Sequence, residues 1–252
     1  MGEVTLKVFL LSSTPDPEKL VAAASRLCYS DADIEALRQG VDARDQSKFL
    51  AKLVDMGHLS PIEHASFTFG VEGVSRSLLA QLTRHRVASF SVKSQRYVGA
   101  LSHDGGTFDY IVPEGIKRLG PEAEERFQAQ MVQIQQWYDG WVEELGAKES
   151  GFEDARFVLP NAAETKLILT MNARELMHFF NVRCCNRAQW EIRELAWQML
   201  ALAKKEAPAI FRKAGPLCVY GPCPEGKMTC GKITGVWDKY MKMFGDNDES
   251  GK

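Results

Sequence analysis

A long amphipathic pattern in the middle of the chain sets the strongest limit on its fold. From Pro121 onward, apolar side chains recur at alternating steps of four and three residues, and Gly146 then provides a typical helix end. The series consists of Phe127, Met131, Ile134, Tyr138, Trp141 and Leu145. This spacing predicts one helix over 121–145 with a continuous buried face, which packs in the core or at a subunit interface and is rarely a cofactor site.

Shorter patterns predict strands and further helices on both sides of this helix. Alternating or β-branched residues predict strands at 4–11, 65–71 and 166–171, and a further extended region is expected within 96–112. Helical spacing covers the segments 20–28, 47–56, 75–83, 172–183 and 189–206. From the residues alone, this mixture indicates an α+β fold.

Composition is that of an ordinary globular protein. The 252 residues are 45% hydrophobic and 25% charged, with a net charge of -2, so a polyanion-binding surface spread over the whole molecule is excluded. No apolar run approaches the roughly 20 residues that cross a bilayer, and the N-terminus lacks the pattern of a secretory signal. We therefore expect a cytoplasmic protein without a membrane partner, whose six cysteines are mostly free thiols.

The segment Arg84–Tyr97 concentrates positive charge locally. It carries Arg84, His85, Arg86, Lys93 and Arg96 among serines and a glutamine. Clustered guanidinium groups repel one another unless an anion offsets their charge, and each one matches phosphate with two parallel donors. A solvated charged surface is the alternative, but apolar residues alternate with the charges and argue against it. The segment therefore predicts a site for a phosphate-bearing ligand.

Familiar catalytic patterns are missing from the sequence. It contains no Gly-x-Gly-x-x-Gly after a strand, no phosphate-binding loop and no specific nucleophile–histidine set. The segment His58–His64 does not have zinc-protease spacing, and Cys218, Cys223 and Cys230 are too few for a four-ligand zinc ribbon, so no metal is predicted. An arginine-rich anion site without a nucleophile suits chemistry that a cofactor supplies.

Four motifs together resemble the flavin-dependent thymidylate synthase family. Arg84-His85-Arg86 is followed by Ser94, Gln95, Arg96 and Tyr97, as in the signature of that family. The other three matches are Ser60–His64, Ala155–Pro160 and a C-terminal signature of Asn172–His178, Asn181, Arg183 and Ala188–Glu191. The matches run in the family's order over about residues 58–195.

The resemblance implies an FAD enzyme that methylates dUMP to dTMP. Methylenetetrahydrofolate would supply the carbon and NADPH would reduce the flavin, whose hydride attacks the pyrimidine, so no enzyme nucleophile is needed. Carried over by position, the cofactor-binding residues are Ser66, Arg84, His85, Arg86, Asn172, Arg174 and His178. The substrate-binding residues are Gln81, Arg84, Ser94, Gln95, Arg96, Arg156 and Arg183. Arg183 would be catalytic because its charge favours the N3-ionised pyrimidine, and His64 would lie near the flavin and folate.

Several of these residues also have a simpler interpretation. Asn172 is suited to cap a helix, Ser94 to bind backbone amides, and Arg183 to neutralise a helix end. Arg156 is spaced for an ion pair with Glu153, and His178 stands where the family commonly has Asn and would alone be a packed histidine. The chain also has Ser91-Val92 where many members carry Asn-Glu, so a carboxylate contact there is absent.

The resemblance also implies an architecture and an assembly. The family fold is an α/β (α+β) structure with an antiparallel sheet flanked by helices, and its active sites form between subunits of a homotetramer. We expect one catalytic domain over 1–214 and a Cys/Gly/Pro-rich extension over 215–252 with a disordered end from residue 245. The alternatives are a nucleotide- or RNA-binding module and a thiol or metal protein built on the C-terminal cysteines. The lack of a wider basic surface argues against nucleic acid.

Overall fold

The computed structural model describes residues 2–101 and 106–245. The strands are β1 (Lys7–Ser13), β2 (Ser66–Ser75), β3 (Ala88–Val92) and β4 (Glu164–Asn172). The helices are α1 (Pro17–Leu27), α2 (Ile34–Asp42), α3 (Ser47–Asp55), α4 (Arg76–Leu82), α5 (Glu114–Lys117), α6 (Pro121–Leu145), α7 (Glu149–Ala155), α8 (Ala173–Arg183), α9 (Trp190–Glu206) and α10 (Ile233–Phe244). Short 3₁₀ helices cover Pro61–His64, Arg156–Val158, Leu217–Val219 and Gly226–Met228.

The four strands form one antiparallel sheet in the order β1-β2-β4-β3, accompanied by helices, which confirms the predicted fold class. One predicted strand is wrong, because the described residues of 96–112 contain only an isolated bridge at Tyr110. The strand forms instead at Ala88–Val92, inside the basic segment. Its alternation of Ala88, Phe90 and Val92 was partly hidden by the charges on either side.

Side-chain caps define where several helices begin. The hydroxyl of Ser75 accepts a hydrogen bond from the Leu78 amide at 3.0 Å at the start of α4, and Asn172 caps α8 in the same way. At the other end of α6, Gly146 adopts a positive φ of 92°, which favours glycine and ends the helix as predicted. The capping residues therefore fix the starts of the two helices that carry predicted site residues.

Two compact units are distinguished by their internal packing. The first comprises Met1–Lys7, Gly70–Arg84 and Phe90–Ile168. Its core contains two apolar clusters, one around Phe108, Tyr110 and Met131 and one around Tyr138 and Val142. The second comprises Val8–Phe69, His85–Ser89 and Leu169–Lys252. Its core includes edge-to-face aromatic contacts of Phe211 with Phe67 and Phe180.

The long helix α6 has the predicted bounds but not the predicted face. Met131 and Tyr138 are buried, whereas Trp141 is 47% exposed and Leu145 is 46% exposed, so the continuous buried face is wrong for the single chain. Gln135 takes a place in the buried face, where its side-chain amide donates to the Ala100 carbonyl and to Asp139, both at 2.8 Å. Such hydrogen bonds offset the free-energy cost of burying a polar side chain. The apolar spacing in the sequence gives no indication of them.

The C-terminal region contains a helix that the sequence analysis missed. Helix α10 packs through Tyr240 and Phe244 against Trp197 on α9, with the rings of Trp197 and Phe244 stacked. The division into 1–214 and 215–252 stays a prediction. The predicted disordered end lies outside the described residues beyond Gly245. Over the two described ranges, every helix is too short or too polar to cross a bilayer.

Candidate functional site

Helix α8 and its capping residue carry half of the predicted cofactor-binding residues of the second unit. Asn172 caps it, and its side-chain oxygen accepts the Glu175 amide hydrogen at 2.9 Å, so the predicted cap is confirmed. Arg174, His178 and Asn181 follow at spacings that place them on one face of the helix. Arg174 pairs with Glu63 of the 3₁₀ helix Pro61–His64, whereas His178 is exposed and is not the packed histidine of the simpler interpretation.

His85 links two residues of α8 through its ring nitrogens. It is buried, its Nδ1 lies 3.1 Å from a carboxylate oxygen of Glu175, and its Nε2 lies 3.1 Å from the Nε of Arg183. Since the guanidinium can only donate, Nε2 accepts from Arg183 and Nδ1–H donates to Glu175. Glu175, His85 and Arg183 therefore form a continuous series of hydrogen bonds that fixes the direction of the arginine.

The surroundings of His85 favour its neutral form. Burial lowers the pKa of His85 below its ordinary value of 6.5, and the positive charge of Arg183 lowers it further, while the hydrogen bond to Glu175 acts in the opposite direction. A neutral imidazole is required for Nε2 to accept from Arg183. The electrostatics and the hydrogen-bond geometry thus agree on the same protonation state.

Glu175 was missed as a functional residue. Its position three residues after Asn172 predicted a capping box, in which its carboxylate would return to the start of the helix. The backbone half of that motif is present, but the carboxylate pairs with His85 instead. Because this partner is distant in sequence, no local pattern could have distinguished the two arrangements.

The polar face of α8 also contains an unsatisfied acceptor. The side-chain oxygen of Asn181 is buried and has no hydrogen-bond partner within the part of the chain that the structure describes. A buried oxygen without a donor carries a free-energy cost of about 1–3 kcal/mol. A ligand with N–H or O–H groups would remove this cost. The face of α8 is therefore chemically suited to a polar ligand, and FAD has the required donors and phosphates.

The remaining predicted cofactor residues differ in exposure. Ser66 opens β2, is half-buried and donates its backbone N–H to the hydroxyl of Thr14 at 2.9 Å. Arg84, in the first unit, and Arg86, in the second, are exposed. Neither of them forms an ion pair within residues 2–101 and 106–245, so both guanidinium groups are available to an anion.

The predicted substrate residues, except Arg183, lie in the first unit. Gln81 is half-buried on α4, and Gln95 accepts a hydrogen bond at 2.9 Å from Arg76. Burial lowers the pKa of Arg76, and the positive charge of Arg156 lowers it further. These two guanidinium groups, Arg76 and Arg156, form a cationic site that an anion would stabilise. Arg76 was missed, although a cation in the first turn of a helix is unfavourable and could have indicated a function.

Three more of the predicted substrate residues of this unit, Arg96, Arg156 and Ser94, are engaged within the chain. Arg96 pairs with Glu149 at 2.5 Å and with Glu153 at 2.7 Å. The expected Glu153–Arg156 ion pair is therefore wrong, since Arg156 donates its Nε to the backbone carbonyl of Glu153 instead. The hydroxyl of Ser94 accepts from the Arg96 amide at 3.1 Å, which is the backbone contact of the simpler interpretation. Their contacts with substrate stay predictions.

The structure also contains a groove and six free cysteines that lie outside the set of predicted site residues. A groove of about 660 Å³ is lined by residues of α1 to α3 and of the loops that adjoin them, including Arg26, Tyr29 and Phe49, and by none of the predicted site residues. All six cysteines are free. Across the described ranges, no three or more His, Cys, Asp or Glu side chains are already grouped in a way that would hold a metal ion.

The fold is a helix-flanked antiparallel sheet that carries exposed guanidinium groups suited to anions, and comparisons with known proteins give its family. Residues 9–209 match the family described as Thymidylate synthase complementing protein. The flavin-dependent thymidylate synthase of Geobacter sulfurreducens is 52% identical over 94% of this chain and 99% of its own length. The one of Clostridium tetani is 49% identical over 94% and 97%, respectively. The chain therefore belongs to the flavin-dependent thymidylate synthase family and is an enzyme.

Solved structures with a similar fold support this assignment at the level of architecture. Thymidylate synthase X of Helicobacter pylori, solved with FAD and dUMP, has a TM-score of 0.62 at 24% identity and covers 83% of this chain and 98% of its own. The UMP/dUMP methylase PolB of Streptomyces cacaoi, bound with 5-Br dUMP, has a TM-score of 0.65 at 24% identity and covers 85% and 98%. The family model and the curated relatives confirm the resemblance seen in the four sequence motifs.

Proposed function

We propose that this protein binds FAD and catalyses the methylation of dUMP to dTMP, with methylenetetrahydrofolate as carbon donor and NADPH as reductant. The observation that carries the proposal is the hydrogen-bonded series Glu175–His85–Arg183, which presents one oriented cation. Family membership and the names of relatives with about 50% identity give it independent support.

FAD would be held by the polar face of α8 and the residues near it. Arg174 and Arg86 supply cations for phosphate, His178 is exposed for contact, and the unsatisfied oxygen of Asn181 can accept from a ligand donor. When bound, FAD supplies the hydride chemistry of the reaction. Because both ring nitrogens of His85 are engaged within the chain, we propose that any contact of this residue with FAD is made by its backbone.

Arg183 would bind the pyrimidine and stabilise the charge that develops on it. Its guanidinium is permanently positive, so it favours the ionised, electron-rich N3 state of the ring. The buried His85 keeps the arginine in one direction, and a preoriented charge needs no reorganisation when the substrate ionises. His85 and Glu175 would therefore be positioning residues, and Arg183 the catalytic residue.

The phosphate and ring of dUMP would be bound by the cationic site of the first unit. Arg76 provides positive charge beside Gln95, and Arg156 adds a second cation that acts on Arg76. The further predicted contacts are Gln81, Arg84, Ser94 and Arg96. The ion pairs of Arg96 are about half exposed, and such pairs contribute only about 0–1 kcal/mol. A phosphate could replace the carboxylates at little cost.

The assembly and location belong to the same proposal. A homotetramer with active sites between subunits and a cytoplasmic location are expected from the family and from the sequence. The Helicobacter pylori protein was solved with FAD and dUMP, which are the two ligands that we assign here. The role of His64 near the flavin and folate is proposed on the same basis.

The test is an anaerobic product assay with the purified chain. The protein is reconstituted with FAD and freed of excess flavin, and NADPH, methylenetetrahydrofolate and dUMP are added. We expect retained flavin absorbance and dTMP that forms only when all three additions are present. Protein that retains no FAD, or that retains FAD and yields no dTMP, would contradict the proposal.

A further inference from the structure

The second half of the segment between α9 and α10, residues 217–232, contains three cysteines but no buried residue. No residue from 217 to 235 is buried, so this stretch lacks an apolar core of its own. The half-buried residues in it are Cys218, Val219, Tyr220, Cys223 and Cys230. All three cysteines of the segment are thus partly shielded from solvent, while most of its other side chains are exposed. Loop-rich segments without a core usually need a covalent or metal crosslink to hold one structure.

A fourth cysteine is brought to the same place by the connection between α8 and α9. Cys185 lies in this connection and is half-buried and free. Two residues later, Arg187 donates from Nη1 to the Met228 carbonyl at 2.7 Å and to Glu225 at 3.1 Å. Since Glu225 and Met228 lie two residues after Cys223 and two before Cys230, these bonds hold the connection against the cysteine-bearing loop.

The other three cysteines are close enough to Cys218 to influence its thiol. Burial raises the pKa of the Cys218 thiol, and the thiols of Cys185, Cys223 and Cys230 raise it further. No disulfide joins any of them.

We propose that Cys185, Cys218, Cys223 and Cys230 bind one Zn²⁺ ion in a closed, structural four-thiolate site. Four sulfur ligands are the preferred set for tetrahedral zinc, and with no position left for water the ion would have no part in the reaction. Each thiol would lose its proton to solvent as the metal binds. The proposal is independent of the proposed function.

Metal binding would have to draw the sulfur atoms together. In the described residues these side chains do not yet form a closed ligand set. Each cysteine reorients about a single side-chain bond, and the loop is exposed and rich in glycine, so little packing opposes the closure. The sequence analysis predicted no metal because it counted three cysteines in the C-terminal segment, and Cys185 lies outside that segment.

Metal content of the full-length protein tests the site. After purification with a reductant and dialysis against metal-free buffer, we expect about one Zn²⁺ per chain by elemental mass spectrometry. Cys185→Ser and Cys218→Ser should each lose most of the zinc. Cys28→Ser is the matched control, because Cys28 is exposed at the end of α1, and it should keep all of it. Wild-type protein without zinc, or full zinc in Cys185→Ser, would overturn the proposal.

Thiol labelling of the unmodified protein gives a readout that does not depend on the folding of variants. An alkylating reagent should label Cys28 rapidly and leave the four proposed ligands unlabelled, and addition of a zinc chelator should make those four reactive together. Substitution by Co²⁺ should produce the intense absorption of tetrahedral thiolate coordination. Rapid labelling of the four cysteines before chelation would contradict the site.

Discussion

At the scale of single residues, the central contact is the hydrogen bond that neutral His85 accepts from Arg183. A protonated imidazole would place a second positive charge 3.1 Å from the guanidinium and remove the acceptor that holds it. Burial and Arg183 both lower the pKa of His85, so the neutral form persists to a pH below the ordinary value of 6.5. The ionisable groups that influence it are Glu175, Arg183 and His178.

The acidic limb of the activity profile should report this histidine. As pH falls through the lowered pKa of His85, the imidazole becomes charged and kcat should decrease. Glu175→Gln keeps a side-chain oxygen for the hydrogen bond but removes the negative charge that raises the pKa, so the acidic limb should move to lower pH. The measurement is kcat against pH for both proteins.

The control for this prediction is Glu35→Gln, which changes an exposed carboxylate paired with Arg38 on α2. Its profile should match the wild type. Protein stability should change in the same direction as activity. Between pH 6.5 and the lowered pKa of native His85, the unfolded chain binds more protons than the native chain. The free energy of unfolding therefore decreases as the pH falls through this range. An acidic limb that stays in place in Glu175→Gln would contradict the assignment to His85.

At the same scale, sequence reasoning identified which residues carry charge but not which groups they contact. The cap at Asn172 and the backbone contacts of Ser94 follow from local spacing, and both are present. The contact between His85 and Glu175 joins residues 90 positions apart, and no local rule specifies it. Residue types are thus more predictable than their partners, because partners depend on how distant segments pack.

Helix α7 provides the carboxylates that hold Arg96, and this contact belongs to the scale of elements. Glu149 and Glu153 both pair with the Arg96 guanidinium, and the side chains are about half exposed. If Arg96 binds the phosphate of dUMP, these carboxylates compete with the substrate. Helix α7 would then control the affinity for dUMP, because the substrate has to displace its two carboxylates from Arg96.

The double substitution Glu149→Gln and Glu153→Gln tests this competition. It should lower the KM for dUMP, because Arg96 no longer has to exchange carboxylates for phosphate. The free energy of unfolding should change by at most about 1 kcal/mol, as for exposed ion pairs. Glu144→Gln, an exposed position on α6, is the control. A KM that is unchanged or raised would indicate that Arg96 does not contact the substrate.

Helix α10 should contribute strongly to stability. Tyr240 is 1% exposed and contacts Trp197 and Phe244, so Tyr240→Ala should lower the free energy of unfolding by about 3–5 kcal/mol. Trp237→Ala on the same helix is the control, because Trp237 is 46% exposed and its loss should cost much less. Denaturant unfolding measures both. Equal effects of the two substitutions would contradict the packing of α10.

Helices and strands with a clear apolar periodicity were predicted, and those whose periodicity was obscured were missed. The bounds of α6 were predicted from its regular spacing, and Pro121 and Gly146 mark its ends. Strand β3 was missed because charged neighbours obscured a five-residue alternation, and α10 because a Gly- and Pro-rich segment precedes it. The exposed Trp141 shows that helical spacing predicts an apolar face but not what covers it.

At the scale of the whole molecule, the apolar face of α6 indicates an assembly of chains. Trp137, Trp141 and Leu145 stand four residues apart and are 56%, 47% and 46% exposed. Large apolar side chains in one exposed row mark an interaction surface. This observation agrees with the homotetramer that the family resemblance implies.

Solution mass should reflect this surface. Analytical ultracentrifugation of the wild type should give a particle of four chains of 28.2 kDa each. Replacing both Trp137 and Trp141 by Glu should give a smaller particle, because charge would be buried at the contact. Gln136→Glu, which adds one charge at a neighbouring exposed position, should leave the mass unchanged. A monomeric wild type would contradict the assembly.

The most direct test of the central claim compares dTMP formed per bound flavin in a single anaerobic turnover of the wild type and of Arg183→Ala. The cation held by His85 is proposed to act on the pyrimidine and not to bind the cofactor. The account therefore predicts that Arg183→Ala retains FAD but forms at least about 100-fold less dTMP, as when one charge-stabilising group is removed. Undiminished dTMP formation by Arg183→Ala with bound FAD would contradict it.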